Sequence, residues 1–597
     1  MKNFLKMTLA VVCGLLLTIF LVFMVMGSII SAIGSAESNT TLPKSGVLEI
    51  DMSSFILGEQ NAEVSPVAAI QGGSAPTIGI RQAVAAVRAA TEDPAIKYIY
   101  LKTDGMASSG LALLEEFRVA LEDCSKAGKA VISYIESPST ASYYMSSAAD
   151  KIYMTSHLGA TSMMTGVGSQ LIFLKDLLDK LGVNVQLIRH GKYKSAGEMY
   201  IRNSSSPENM QQNQEMIDGI WNNMAIAMAR GRELSVEDIN AAIEELKLNS
   251  PQDFKDNGFV DELMTAEQLK QKLADLAVEE KYKDVKMVSL SDYIAAKVKE
   301  NLKPKQKIAV VFAEGNIVDG NGSADVAGDR FASIIAKVRA DSTVKAVVLR
   351  VNSPGGAVLA AEKIKAELDL LRKDKPVVAS YGDYAASGGY WISTNCDKVY
   401  SDASTLTGSI GVFSMIPDFS GTIRDIAHVN ITTVGSSSHS GMLGLMRPLD
   451  AAETAYMQQS VEDIYERFVS IVSEGRKLEP DYVDSIAQGR VWVGSDALKI
   501  GLVDEIGTLE DAIHCAALMA DGSSDSLDAW RVEEFPRPQT TMEMLMEMMG
   551  SSSPEVKLFK GTPFESTAKY LWDLNRSWEK KNGSYMFASL PYVMDIR

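Results

Sequence analysis

SYGDYAASGGYWISTNCDKVYS, residues 380–401, aligns without a gap on SYIESPSTASYYMSSAADKIYM, residues 133–154, and that pairing decides the architecture. The match extends in both directions. Upstream, VRAATEDPAIKYIYLKTDG (87–105) pairs with VRADSTVKAVVLRVNSPGG (338–356). Downstream, ARGRELS (229–235) pairs with SEGRKLE (473–479), and GFVDEL (258–263) with GLVDEI (501–506). Four matches kept in one order, at a period of about 245 residues, mean two copies of one domain. A chain of 597 residues needs more than one domain in any case, since single cores rarely grow past roughly 250–300 residues.

Each copy alternates strands and helices. In the second, KIAVVFAEG (307–315), VKAVVLRV (344–351) and KPVVASY (375–381) are short β-rich runs, while FASIIAKVRA and AAEKIKAELDLLRK between them carry helical periodicity. That alternation implies parallel sheets with βα crossovers. A long helix over 450–476 has its counterpart at 207–230. The first copy is assigned to residues 37–265 and the second to 306–520. The Lys-, Glu- and Ala-rich stretch 266–305 is expected to be a helical linker, and 521–597 a C-terminal extension containing the methionine-rich helix MEMLMEMM.

The N-terminus, 1–36, is apolar and uncharged from Met7 to about Gly34, longer than the roughly 20 residues needed to span a bilayer. It is expected to be an uncleaved anchor through residues 7–34, although the small residues of GSIISAIGSA also suit a cleavage enzyme. Lys2 and Lys6 before the span and Glu37 after it place the rest of the chain on the outer side of the membrane. A net charge of -18 argues against nucleic acid as a partner and suits solubility. Cys13, Cys124, Cys396 and Cys515 are scattered, with no CxxC or HExxH, so neither a disulfide framework nor a metal or other cofactor is expected.

The repeat also tests which residues the fold itself requires. Ser387 stands between two alanines and two glycines, between a strand-like run and a helix-like one, where a nucleophile on a tight turn would stand. The first copy has Thr140 in its place and Ala141-Ser142 for Gly388-Gly389, and TDGMASS replaces the NSPGG of 352–356. Residues that only shaped the fold would be wanted twice. Ser387 is therefore a candidate nucleophile and Gly355-Gly356 a candidate oxyanion loop, the alternative for the glycines being a sharp turn. A serine needs a base. RHGKYKSAGE (189–198) in the first copy faces GSSSHSGMLG in the second, so lysine is present in one copy only. Lys192 is assigned to the surface, and Lys194 is the candidate base.

NSPGG, YAASGGYW, LTGSIGVF and GKYKSA together resemble the long, two-domain form of the signal peptide peptidase A (protease IV) family of bacterial inner membranes, across roughly 500 residues. The resemblance implies an α/β fold of two tandem Clp protease/crotonase-like repeats of ββα units behind one transmembrane helix. It implies a Ser/Lys dyad shared between the copies, with Ser387 as nucleophile, Lys194 as general base and Ser409 assisting the lysine. It also implies a ring-like oligomer, a tetramer, and released signal peptides and other unfolded apolar peptides as substrates, handled on the periplasmic side. Physically, the lysine must be desolvated to act as a base, and the Gly356 and Gly388 amides would hold the oxyanion. Two rivals remain: a crotonase-like acyl-CoA enzyme, which has no need of the serine or the anchor, and an inactive membrane-anchored scaffold. Asp383, four residues before the serine, is expected to bond backbone rather than take part.

Overall fold

The computed structural model describes residues 42–62, 75–159, 162–323, 325–521 and 527–538, together with the main chain of 586–589. The expected anchor at 7–34 and the methionine-rich segment at 542–549 lie outside the described residues, among which no helix is long and apolar enough to cross a membrane.

The two copies form two mostly parallel sheets with the same strand order. In the first, the order is Glu262–Met264, Lys151–Thr155, Val131–Ile135, Ile96–Lys102, Gly46–Asp51 and Met287–Ser289, every pair parallel. In the second, Glu505–Ile506, Lys398–Ser401, Val377–Ala386, Val344–Ser353, Lys307–Glu314 and Arg531–Phe535 follow one another in the corresponding places, again parallel. Strands such as KIAVVFAE read as continuous apolar runs because a parallel sheet is covered on both faces.

This correspondence moves two boundaries. Residues 266–305, expected to be a helical linker, contain the helices Ala266–Ala277 and Leu290–Lys297, but also a strand, Met287–Ser289, that extends the first sheet beyond Gly46–Asp51. The repeat likewise does not end near 520, since Arg531–Phe535 occupies the same edge of the second sheet, beside Lys307–Glu314.

The copies share a core. Leu48, Val87 and Phe117 of the first pack in one apolar cluster with Ile308, Val348 and Ala516 of the second. Arg350 crosses the same junction fully buried, 2.7 Å from both Glu59 and Glu116 of the first copy, with its other donors on Ser380 Oγ and Tyr381 O. Removing one partner would strand a buried charge, so this cluster ties the relative placement of the copies to the strand that leads to Ser387.

A third sheet draws on both copies. Its order is Val326–Ala327, Ile317–Val318, Gly355–Ala357, Met586–Ser589, Val412–Asp418 and Asn184–His190. The last pair is antiparallel from Val412 opposite His190 to Asp418 opposite Asn184, and it carries a strand of the first copy into the second.

Candidate active site

Ser387 sits where the Val377–Ala386 strand gives way to the short helix Gly388–Ser393. Its backbone has φ 55° and ψ −114°, a region a non-glycine residue enters only when its surroundings hold it there. Two hydrogen bonds do so: its N–H donates to Gly408 O at 2.8 Å, and its carbonyl accepts from Trp391 N at 2.8 Å. The small neighbours have steric work. A Cβ on Gly389 would stand 2.7 Å from Ser353 O, and one on Gly388 would stand 3.1 Å from Gly356 N, so the helix start lies directly against the Gly355–Ala357 strand. Gly355 has φ 98°, and a Cβ on Gly356 would fall 1.9 Å from Ile317 O, so neither position has a substitute for glycine. Gly356 and Gly388, named from sequence, are thus brought side by side.

Lys194 arrives from the other copy. The Asn184–His190 strand ends beside Val412, and the chain then turns so that Lys194 Nζ lies 2.8 Å from Ser387 Oγ, 3.0 Å from Ser409 Oγ and 3.0 Å from Ser409 O. All three residues are buried, and among the described residues no carboxylate acts on this amine. Burial alone holds its pKa well below that of an ordinary lysine. A neutral amine has two N–H groups and one lone pair. Ser409 offers two acceptors and Ser387 one hydroxyl proton, so the neutral form matches its surroundings completely, with Ser387 donating to the lone pair. Lys192, two residues earlier, is exposed and rests over the Tyr193 ring at 5.1 Å.

Several groups that hold the lysine gave no signal in the sequence. A Cβ on Gly489 would lie 2.6 Å from Lys194 Cβ, and one on Gly411 would lie 3.2 Å from Lys194 Cδ, so two glycines of the second copy wall in its stem. Tyr193 N–H donates to Gln488 O at 2.9 Å, fixing the same loop against the lysine. On the other side Arg189 donates to Lys194 O at 2.8 Å and to Glu198 Oε1 at 3.1 Å, and Glu198 in turn accepts from Ser206 Oγ at 2.7 Å. Gly411 lies within the quoted LTGSIGVF run, but only the fold shows what it faces.

Asp383 takes no part in this cluster. Its Oδ1 accepts from the backbone N–H of Ala112 at 2.9 Å, at the start of the first copy's Leu111–Lys126 helix. Burial raises its pKa to about 6. His439, Asp450 and Glu453 bring ligand-type atoms within 4.8 Å of one another. Arg447 already engages both oxygens of Glu453, at 2.7 and 2.6 Å, so the group is an ion-pair cluster.

The profile of Peptidase family S49 matches residues 123–279 and 369–522, one stretch in each copy. Protease 4 of Haemophilus influenzae is 33% identical over 92% of this chain and 94% of its own length. Protease 4 of Salmonella typhi is 35% identical over 79% of this chain and 76% of its own, and the chloroplastic serine protease SPPA of Arabidopsis thaliana 32% identical over 78% and 68%.

Proposed function

The chain belongs to peptidase family S49, and from that membership we propose a serine endopeptidase in which Ser387 is the nucleophile and Lys194 the general base. The reading is carried by the 2.8 Å contact between a buried hydroxyl and a desolvated amine supplied by the other copy. As Ser387 Oγ attacks a peptide carbonyl, its proton passes to Nζ, and the amine, now charged, is held by Ser409 O and Oγ. The oxyanion forms between the amides of Gly356 and Gly388, donors of a kind worth about 3–4 kcal/mol each. Nζ then protonates the leaving amine, and water, activated by the same base, releases the acyl group. Nucleophile and base thus both come from the chain itself.

The substrates we propose are signal peptides already released from their precursors and other unfolded apolar peptides. Residues 7–34 would anchor the enzyme in the inner membrane with the two Clp protease/crotonase-like repeats on the periplasmic side, and the assembled form would be a ring-like tetramer. The inactive-scaffold reading is disfavoured because the strained Ser387 and the buried Lys194 both carry a folding cost that an inert protein has no reason to keep. A fluorophosphonate should label the purified protein at one residue and leave Ser387→Ala unlabelled. Equal labelling of both would remove Ser387 from the reaction.

A further inference from the structure

Ser409, whose two oxygens face the lysine amine, is itself strained. Its backbone has φ 50°, a left-handed conformation that a serine keeps only when its surroundings impose it. The stretch Gln488–Trp492 does so: Ser409 N–H donates to Arg490 O at 2.7 Å, and Gly489 N–H donates to Ile410 O at 2.7 Å. The chain then continues as the strand Val491–Val493, antiparallel to Leu406–Gly408, with Val491 opposite Gly408. Gly408 O in turn takes the N–H of Ser387. One short stretch of the second copy therefore backs Ser387, Ser409 and the stem of Lys194 together.

Side chains fasten that stretch to the first copy. Gln212 Oε1 accepts from Val491 N–H at 2.9 Å. The Arg490 guanidinium lies over the Trp492 ring at 4.1 Å and over the Tyr193 ring at 5.2 Å, and it pairs with Glu215 on the first copy's helix Pro207–Arg232. Tyr193 is the residue before Lys194. A planar cation lying against two rings is fixed in orientation as well as in place. The Nε of Arg490 is buried and, among the described residues, has no hydrogen-bond acceptor, so the rings hold that edge of the group.

We propose that Arg490 is a positioning residue for the dyad, which bridges Tyr193 of the first copy and Trp492 of the second and so sets where Lys194 stands relative to Ser409 and Ser387. The inference rests on the peptidase reading above. Arg490 acts through two links: its backbone oxygen holds Ser409, and its side chain holds the residue beside Lys194. With the guanidinium gone, the backbone oxygen remains, but the stretch that carries it loses its hold on Tyr193 and Glu215. The two sides of the lysine slot can then part. Water reaching the amine would favour its charged form, and a lysine that keeps its proton is no base.

The test is the rate of fluorophosphonate labelling as a function of pH, measured on the full chain and on Arg490→Leu, Arg490→Lys, Tyr193→Ala and the Tyr193→Ala/Arg490→Leu double variant. Arg490→Leu should be labelled at least about tenfold more slowly at neutral pH, and its half-maximal rate should move up by about one pH unit, as a hydrated lysine requires. Arg490→Lys keeps a charge for Glu215 but lacks the planar group, so it should fall between Arg490→Leu and the unaltered enzyme. The double variant should be no more than about twofold slower than the slower single one, because both substitutions break the same bridge. An unmoved midpoint overturns the proposal, whether the rate is unchanged or lowered, since a residue that only supports the fold would cost active protein without altering the base. Should Arg490→Leu fail to fold, the midpoints of Arg490→Lys and Tyr193→Ala decide in the same way. An unaltered enzyme that is not labelled at Ser387 overturns the peptidase reading and this inference with it, whereas a labelled one beside variants of unmoved midpoint overturns this inference alone.

Discussion

At matching positions the two copies start a helix in different ways. In the first, Ser139 has φ −94° and ψ 171° and caps the Thr140–Ser146 helix through a reciprocal pair of bonds with Ser142. This is the ordinary solution for unpaired N–H groups at a helix start. In the second, the strand runs on to Ala386, the helix begins one position later, and the residue at the junction is Ser387, with positive φ and no capping bond from its side chain. One copy thus spends its serine on the helix, and the other withholds it. The same trade recurs with the lysine: Asn184–His190 delivers Lys194 from the first copy, while the corresponding GSSSHSGMLG of the second is largely exposed loop. Each copy thus supplies one half of the candidate site, Lys194 from the first and Ser387 from the second.

The largest expected effect comes from removing either half. Ser387→Ala and Lys194→Ala should each lower kcat/KM for a short apolar peptide by at least about 10³-fold, with the double variant no worse than either single one. Lys192→Ala, exposed and pointing away, should keep most of its activity. On the proposed role of the neutral amine as base, the rate of the unaltered enzyme should rise with pH through the lowered pKa of Lys194 and fall away below it as the amine is protonated. A Lys194→Ala protein that retains most of its rate would mean that the base lies elsewhere and that the halves do not depend on each other.

A smaller effect is expected from loosening the lysine without removing it. Gly489 has φ 80°, and its missing Cβ leaves the space that Lys194 Cβ uses. Gly489→Ala must strain the loop and push the lysine stem away, so kcat should fall about 10–100-fold while the protein remains folded, as judged by its circular dichroism. Unchanged kcat would show that the lysine finds the serine without this wall.

Why the glycine wall escaped a reading of the sequence while the dyad did not is a matter of where the information lies. Helical periodicity marked Gly328–Ala340 and Val358–Asp374, and apolar runs marked the central strands, because those patterns are local. Ser387 and Lys194 stood out because the internal repeat served as its own control. Gly489 and Lys194 are far apart in sequence, and nothing local to QGR announces that a lysine stem passes it. The strands Met287–Ser289 and Arg531–Phe535 were hidden for another reason: they are short, lie at sheet edges and carry polar residues such as Glu533 and Glu534, so they look like linker and tail. The third sheet, assembled from both copies and the tail, has no sequence pattern of its own, because the pairings that join those parts, such as Val412 with His190 and Gly355 with Ser589, link segments far apart in the chain.

The smallest expected effect is none at all, and it tests the comparison most strictly. Thr140→Ser places a serine at the first-copy position that matches Ser387, and in a Ser387→Ala background it is the only serine there. If residue type alone made the nucleophile, this protein would regain fluorophosphonate labelling. The backbone argues otherwise. Thr140 is an ordinary first residue of a capped helix, its hydroxyl already donates to Gly166 O at 3.2 Å and accepts from Thr165 N at 3.2 Å, and the copy's own lysine is turned toward the other domain. The Ser387→Ala/Thr140→Ser protein should therefore remain unlabelled, measured by gel fluorescence beside the unaltered enzyme. Labelling at residue 140 would show that the strained turn and the buried amine are dispensable, and that the difference between the copies lies in the side chain alone.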